Sequence, residues 1–161
     1  MIYVYDCHKQ EDTETLAKSL SKISKPADVW ALFGTLGVGK SVLSRAFIKN
    51  LTETTEVPSP TFTLVQVYEA ENFDIYHYDL YRLKSPEEIW ELNIEEAMYN
   101  GVCLIEWPEK MGGYIPRDVF KVNISTLKDG TRRVEIETNS QDKQLRLLQA
   151  SVKPDNSYER Q

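Results

Sequence analysis

The sequence predicts a single α/β domain with a mixed β-sheet flanked by helices, and three observations lead there. An apolar run at residues 28–33 opens through a glycine-rich turn at 34–39 into an amphipathic helix beginning near Lys40, the strand-turn-helix unit of α/β architectures. Two pairs of short strand-like runs, 62–68 with 74–81 and 119–127 with 132–138, are joined by polar connections. They read as hairpins, so the sheet is not purely parallel. The length, 161 residues, gives one domain a real core and is too short for two comfortable ones.

Taken in order, residues 2–7 read as a short strand. Asp12 or Thr13 can cap a helix with Leu16, Leu20 and Ile23 on one face, ending before Pro26. The run at 28–33 has the unbroken apolarity of a strand covered on both faces. The next helix places Leu43, Ala46, Phe47 and Leu51 on a buried stripe. Pro58 and Pro60 make 57–61 a stiff, extended loop. Ser85-Pro86-Glu87-Glu88 predicts a helix start, with Ser85 as N-cap, Pro86 as first helical residue and Glu88 as capping-box partner. That helix runs towards Tyr99 and Gly101 closes it. Residues 102–105 form a buried strand ending in Glu106-Trp107-Pro108, and Lys128-Asp129-Gly130 turns the last hairpin. Residues 1–150 make the folded domain, and the polar stretch 151–161 is expected to be a disordered tail.

Hydrophobic residues are 41% and charged residues 27%, an ordinary globular composition with no apolar run of membrane-spanning length. No secretory signal is visible at the N-terminus, so the cytoplasm is the expected compartment. Cys7 and Cys103 lie in strand-like apolar runs without metal-ligand spacing and read as buried, reduced thiols. The formal net charge of -6 argues against a chain that grips nucleic acid by itself, because that affinity needs a basic excess. Lys128, Arg132, Arg133, Lys143, Arg146 and Lys153 form a basic scatter in the last third, read as solvated surface.

Gly34-Thr35-Leu36-Gly37-Val38-Gly39-Lys40-Ser41 matches the phosphate-loop pattern GxxxxGK[ST] without a mismatch, between a predicted strand and a predicted helix. Glycines let successive N–H groups turn inward to cradle phosphate oxygens, and the following helix adds the positive end of its dipole. Lys40 supplies a cation for the β and γ phosphates, and the Ser41 hydroxyl is a hard oxygen ligand suited to Mg²⁺. The contact set continues through Val42. No Asn-Lys-x-Asp strand end for guanine occurs, which favours ATP/ADP.

Such chemistry needs a strand-end carboxylate for the metal or the attacking water. Glu106 has that position, either as a metal ligand or as a cap on the turn before Pro108. Asp79, among the aromatics of Tyr76-His77-Tyr78-Asp79-Leu80-Tyr81-Arg82, is either functional or paired with Arg82 or His77 to hold the hairpin. Thr61 is a γ-phosphate sensor or a hydroxyl satisfying its turn. Trp107 lines the nucleotide site or packs in the core.

Leu-Gly-Val-Gly-Lys-Ser, Ser-Pro-Thr-Phe-Thr-Leu, His-Tyr-Asp-Leu-Tyr-Arg and Ile-Glu-Trp-Pro-Glu, in this order from roughly Thr13 to Arg133, together resemble the TsaE (YjeE) family. The resemblance implies a P-loop ATPase subunit of the bacterial machinery that installs threonylcarbamoyladenosine in tRNA. It implies TsaB and TsaD as partners, with tRNA held mainly by their complex and no membrane role. It makes Lys40 the phosphate lysine, Ser41 and Glu106 the metal ligands, and Asp79 the required aspartate near the γ-phosphate. Thr61 becomes the switch threonine and Trp107 the tryptophan beside the site, while Thr13 and Arg133 fall near nucleotide-touching positions. Ser41 stands where threonine is commoner, and Val38 where alanine is usual. Two competing readings are a small-molecule kinase, which needs an arginine-rich lid, and a nucleotide-binding regulatory module without useful hydrolysis.

Overall fold

Eight strands and four α-helices build the chain, as seen in a computed structural model that describes residues 1–35 and 37–160. In chain order they are β1 (Ile2–Cys7), α1 (Gln10–Lys22), β2 (Val29–Phe33), α2 (Lys40–Leu51), β3 (Val65–Glu69), β4 (Asp74–Asp79), α3 (Ile94–Asn100), β5 (Val102–Glu106), β6 (Phe120–Thr126), β7 (Arg132–Glu137), α4 (Gln141–Gln149) and β8 (Asn156–Tyr158). One sheet takes them in the order β3-β4-β5-β2-β6-β7-β1-β8. β4, β5, β2 and β6 run parallel, and β3, β7, β1 and β8 pair antiparallel with their neighbours. The α/β mixed sheet and both hairpins predicted from sequence are therefore present.

The apolar alternation along the strands feeds two cores. On one face Trp30, Leu32, Leu104, Phe120 and Val134 meet Leu16 and Leu20 of α1, Leu43 and Phe47 of α2 and Leu147 of α4. Trp30 stacks on Phe120 at 3.8 Å between ring centroids, at the centre of this layer. On the other face Ala31, Tyr78, Cys103 and Ile105 are covered by Ile89, Ile94, Ala97 and Met111. Both cysteines are buried and free, and burial pushes the Cys103 thiol up to about 12.

Several boundaries differ from expectation for local reasons. α1 begins at Gln10, before either expected cap, because the Asp12 carboxylate reaches back to accept the His8 and Lys9 amides at 3.0 Å each. The helix expected over 85–99 is broken in two. A 3-10 segment, Pro86–Leu92, is separated from α3 by Asn93 in the left-handed region (φ 56°), and the Ser85 side chain makes no cap hydrogen bond. Asn tolerates that conformation better than aromatic or β-branched residues do, so the break falls where the sequence permits it.

Two readings of the C-terminal part are corrected. The stretch expected to be a disordered tail carries β8, which pairs with β1 from Ile2↔Tyr158 to Val4↔Asn156. Arg160 adds a forked ion pair to Glu137 at 2.8 and 3.2 Å. A polar composition did not prevent order here because the unpaired edge of β1 offers backbone partners regardless of side chain. Within the basic scatter, Arg146 is not solvated surface. It lies on α4, a helix the sequence pattern does not announce, and is 7% exposed. Its guanidinium donates to both Asp28 oxygens at 2.6 and 2.9 Å and to the Ile23 carbonyl at 2.7 Å. Asp28, immediately before β2, thus ties α4 to the start of the central strand.

A buried pair of this kind is far costlier to halve than to remove. Asp28→Ala is expected to lower unfolding stability by about 3–5 kcal/mol. The double variant Asp28→Leu, Arg146→Met should recover most of that loss; urea denaturation of the parent and both variants checks it.

Candidate functional site

β2 ends at Phe33 and the chain turns at Gly34, whose φ is 149°. A Cβ there would meet Val38 Cγ1 at 2.7 Å and the Ile124 carbonyl oxygen at 2.8 Å, so only glycine lets the loop pass this close to β6. Gly39, at φ 114°, sets up α2, whose first residue is Lys40. Leu36, expected to be part of the cradle, lies outside the described residues. Thr35 and Gly37 are exposed, Val38 is buried, and a Cβ on Gly37 would meet nothing within 4 Å among the described residues. Gly37 thus faces open space among the described residues.

Lys40 is 5% exposed. Its ammonium donates to the Gly34 carbonyl at 2.7 Å and lies 3.7 Å over the Trp107 ring centroid. Burial pulls its pKa below the ordinary lysine value, although Glu106, Glu109 and Asp79 pull the other way. The next residue, Ser41, donates from Oγ to Glu106 Oε1 at 3.3 Å.

Glu106 ends β5 and Asp79 ends β4, and parallel pairing sets them directly side by side. Both are buried, at 3% and 6% exposure. The pairings considered for Asp79 do not form. Its Oδ2 accepts from Thr61 Oγ1 at 2.9 Å and its Oδ1 from the Tyr81 amide at 3.1 Å. Arg82 instead covers the ring of Phe62 at 4.3 Å, and His77 bonds Glu106, Nε2 to Oε2, at 2.7 Å. Thr61 also shares a 2.7 Å hydrogen bond with Ser59, so the proline loop is latched to the end of β4. Trp107 follows Glu106 with φ 59° and packs its ring against Tyr81 at 4.9 Å between centroids. The structure therefore brings Lys40, Ser41, Thr61, Asp79, Glu106 and Trp107 to one place, the C-terminal edge of the parallel strands, where α/β sheets bind ligands.

A second hollow of about 230 Å³ adjoins the other side of the loop. Thr13, Gly37, Gly39 and Val42 line it, together with His8 and Arg132. Arg133 does not face it. Alternation along β7 sends Arg133 to the opposite face, where it grips Asp6 at 2.8 and 3.1 Å and holds that carboxyl below its usual range. The neighbouring Arg132 reaches the Gly37 carbonyl instead, at 3.5 Å. Period-two counting from the buried Val134 would have selected Arg132. His8 carries no spacing signal; period-two counting puts His77 on the face of Asp79, but its bond to Glu106 is visible only in three dimensions.

The donor set suits a hard cation held by few protein atoms. Ser41 and Glu106 present adjoining oxygens of the kind that could hold a magnesium ion.

Comparison with known proteins decides the family. The family model described as threonylcarbamoyl adenosine biosynthesis protein TsaE matches residues 7–134. This chain belongs to the TsaE family. A TsaE from Rickettsia felis is 46% identical over 146 residues, covering 89% of this chain and 85% of that one. The Bacillus subtilis TsaE is 34% identical over 125 residues, covering 77% and 78%. The crystal structure of Bacillus subtilis YdiB superposes with a TM-score of 0.74 at 25% identity, over 91% of both chains. The TsaE match spans every site element from Thr13 to Arg133, whereas α4 and β8 lie beyond it.

The buried ammonium gives this TsaE-family chain a measurable cost. With its folded pKa depressed, Lys40 binds a proton more readily in the unfolded chain. The resulting weakness is fully present below the folded pKa and fades as pH rises toward the ordinary lysine value. Lys40→Met is expected to melt at the same or a higher temperature than the parent at neutral pH, which parallel thermal melts check.

Proposed function

We propose that this chain is a P-loop ATPase that binds and hydrolyses Mg-ATP to support threonylcarbamoyladenosine modification of tRNA, together with TsaB and TsaD. The observation that carries the proposal is the convergence of the glycine loop, Lys40 and two level strand-end carboxylates, Asp79 and Glu106, on one edge of the sheet. The names of its relatives, tRNA threonylcarbamoyladenosine biosynthesis proteins, support the pathway. The net charge of -6 supports a division of labour in which the partner complex holds the tRNA.

In this reading amides of the described loop residues, 34, 35 and 37–42, cradle the phosphates, and Lys40 exchanges its Gly34 carbonyl for phosphate oxygens. Ser41 and Glu106 would hold Mg²⁺, whose charge would offset the charge developing on the β and γ phosphates. Asp79 orients water or the γ-phosphate side of the site. Because Thr61 donates to Asp79, the proline loop shifts when that carboxylate finds another partner, which makes the loop a device for reporting nucleotide state. The hollow between Thr13, Val42 and Arg132 receives the base. With no guanine-specifying motif, adenine is the base expected, and cytoplasm the compartment. No helix among the described residues is long and apolar enough to cross a membrane.

Calorimetric titration should show ADP bound more tightly than GDP by at least about tenfold, or 1.4 kcal/mol; equal affinities would remove the adenine assignment.

Glu106→Ala leaves the amide cradle and Lys40 in place, so ADP binding should survive. Loss of one preorganised electrostatic group of this kind costs about a hundred- to a thousand-fold in rate. Phosphate release by the folded variant, and modified tRNA counted per complex with TsaB, TsaD, ATP and threonylcarbamoyl-adenylate, should both fall on that scale. Parent-like multiple turnover would sink the role given to Glu106.

A further inference from the structure

We propose that His77 is a positioning residue for Glu106, fixing which carboxylate oxygen is offered to Ser41 and the metal. The inference rests on the Mg-nucleotide reading above and adds to it a residue that touches neither nucleotide nor metal.

His77 sits on β4, two residues before Asp79, with its backbone opposite Leu104 of β5. Its Nε2 approaches Glu106 Oε2 at 2.7 Å, and the two side chains are only 2% and 5% exposed. The other oxygen, Oε1, takes the Ser41 hydroxyl at 3.3 Å. The carboxylate is thus divided, with one oxygen tied from inside the sheet and one turned outward to the end of the phosphate loop.

This division answers a problem set by the residue type. Glutamate has one more rotatable bond than aspartate, so at a strand end its head group can swing through several rotamers. A donor fixed on the neighbouring strand removes that freedom. Partners that orient a ligating carboxylate strengthen metal binding without touching the metal.

The other ring nitrogen shows what His77 is for. Nδ1 is buried and has no hydrogen-bond partner among the described residues, although buried polar atoms are ordinarily satisfied. Among the described residues the single polar contact of the ring is therefore the one to Glu106, where an ionised carboxylate can only accept and Nε2–H donates. Asp79, on the same face of the strand, is held by Thr61 and the Tyr81 amide instead. Each strand-end carboxylate therefore has its own tether.

The test uses the full chain and AMP-PNP as probe, titrated calorimetrically in EDTA and across a Mg²⁺ series, with thermal melts alongside. His77→Leu fills the space without a donor, and His77→Gln keeps an N–H at the reach of Nε2. For His77→Leu the metal-free affinity should be unchanged, while the Mg²⁺ concentration giving half of the metal-dependent gain rises about 10–100-fold. His77→Gln should restore most of that loss. A folded His77→Leu protein with parent-like Mg²⁺ dependence overturns the inference and leaves the ATPase reading standing. Should His77→Leu not fold, His77→Asn decides, since its amide is too short to reach Oε2; Asn and Gln variants with the same Mg²⁺ dependence overturn the inference. A parent protein that shows no Mg²⁺-dependent gain overturns the ATPase reading and this inference with it.

Discussion

The parallel pairing of β2, β5 and β4 aligns Leu32 with Glu106 and Glu106 with Asp79, and the rest of the site hangs from that register. The phosphate loop starts two residues beyond Leu32, so its distance from both carboxylates is decided by backbone hydrogen bonds deep in the sheet. A slip of one residue would turn every side chain of the slipped strand to the other face. Tyr78 would then point where Asp79 now lies, and an apolar core position would receive a charge. The two packed layers on either side forbid that exchange, so the hydrophobic core and the placement of the chemistry enforce each other.

Asp28 anchors the same strand from its other end. Arg146 closes on it from α4, and Trp30 stacks with Phe120 immediately above. β2 is therefore held by a charge-assisted fork at its start, an aromatic stack at its middle and the loop at its finish. Support of this sort fixes where β2 ends and where the glycine-rich turn begins. The support comes partly from outside the region shared with the TsaE family model, which ends at residue 134.

Much of this is legible in the residues. The glycine loop, the buried β2 run and the strand ending in Glu106 follow from local pattern, because each is a contiguous segment with one dominant period. What escapes the sequence is decided at long range. Arg146 reads as a solvated cation until Asp28, 118 positions away, is known to face it. β8 reads as a loose tail because edge pairing uses backbone groups that composition does not reveal. His77 and Asp79 are two residues apart on one face, and nothing in the chain tells which takes Glu106 and which takes Thr61. Arg132 and Arg133 differ only by the phase of β7, and Arg133 has the wrong phase for a residue facing the loop.

Trp107 holds its backbone at φ 59°, a region glycine enters freely and a bulky side chain enters at about 1–2 kcal/mol. The turn after β5 would be more comfortable with glycine, so the indole is present for its ring. That ring is the floor under the Lys40 ammonium and the wall against Tyr81. The turn leaving β5 is therefore fixed by side-chain contacts rather than by backbone preference, and the 3-10 stretch Pro108–Tyr114 that follows is itself bent at Gly112, whose φ is 56°.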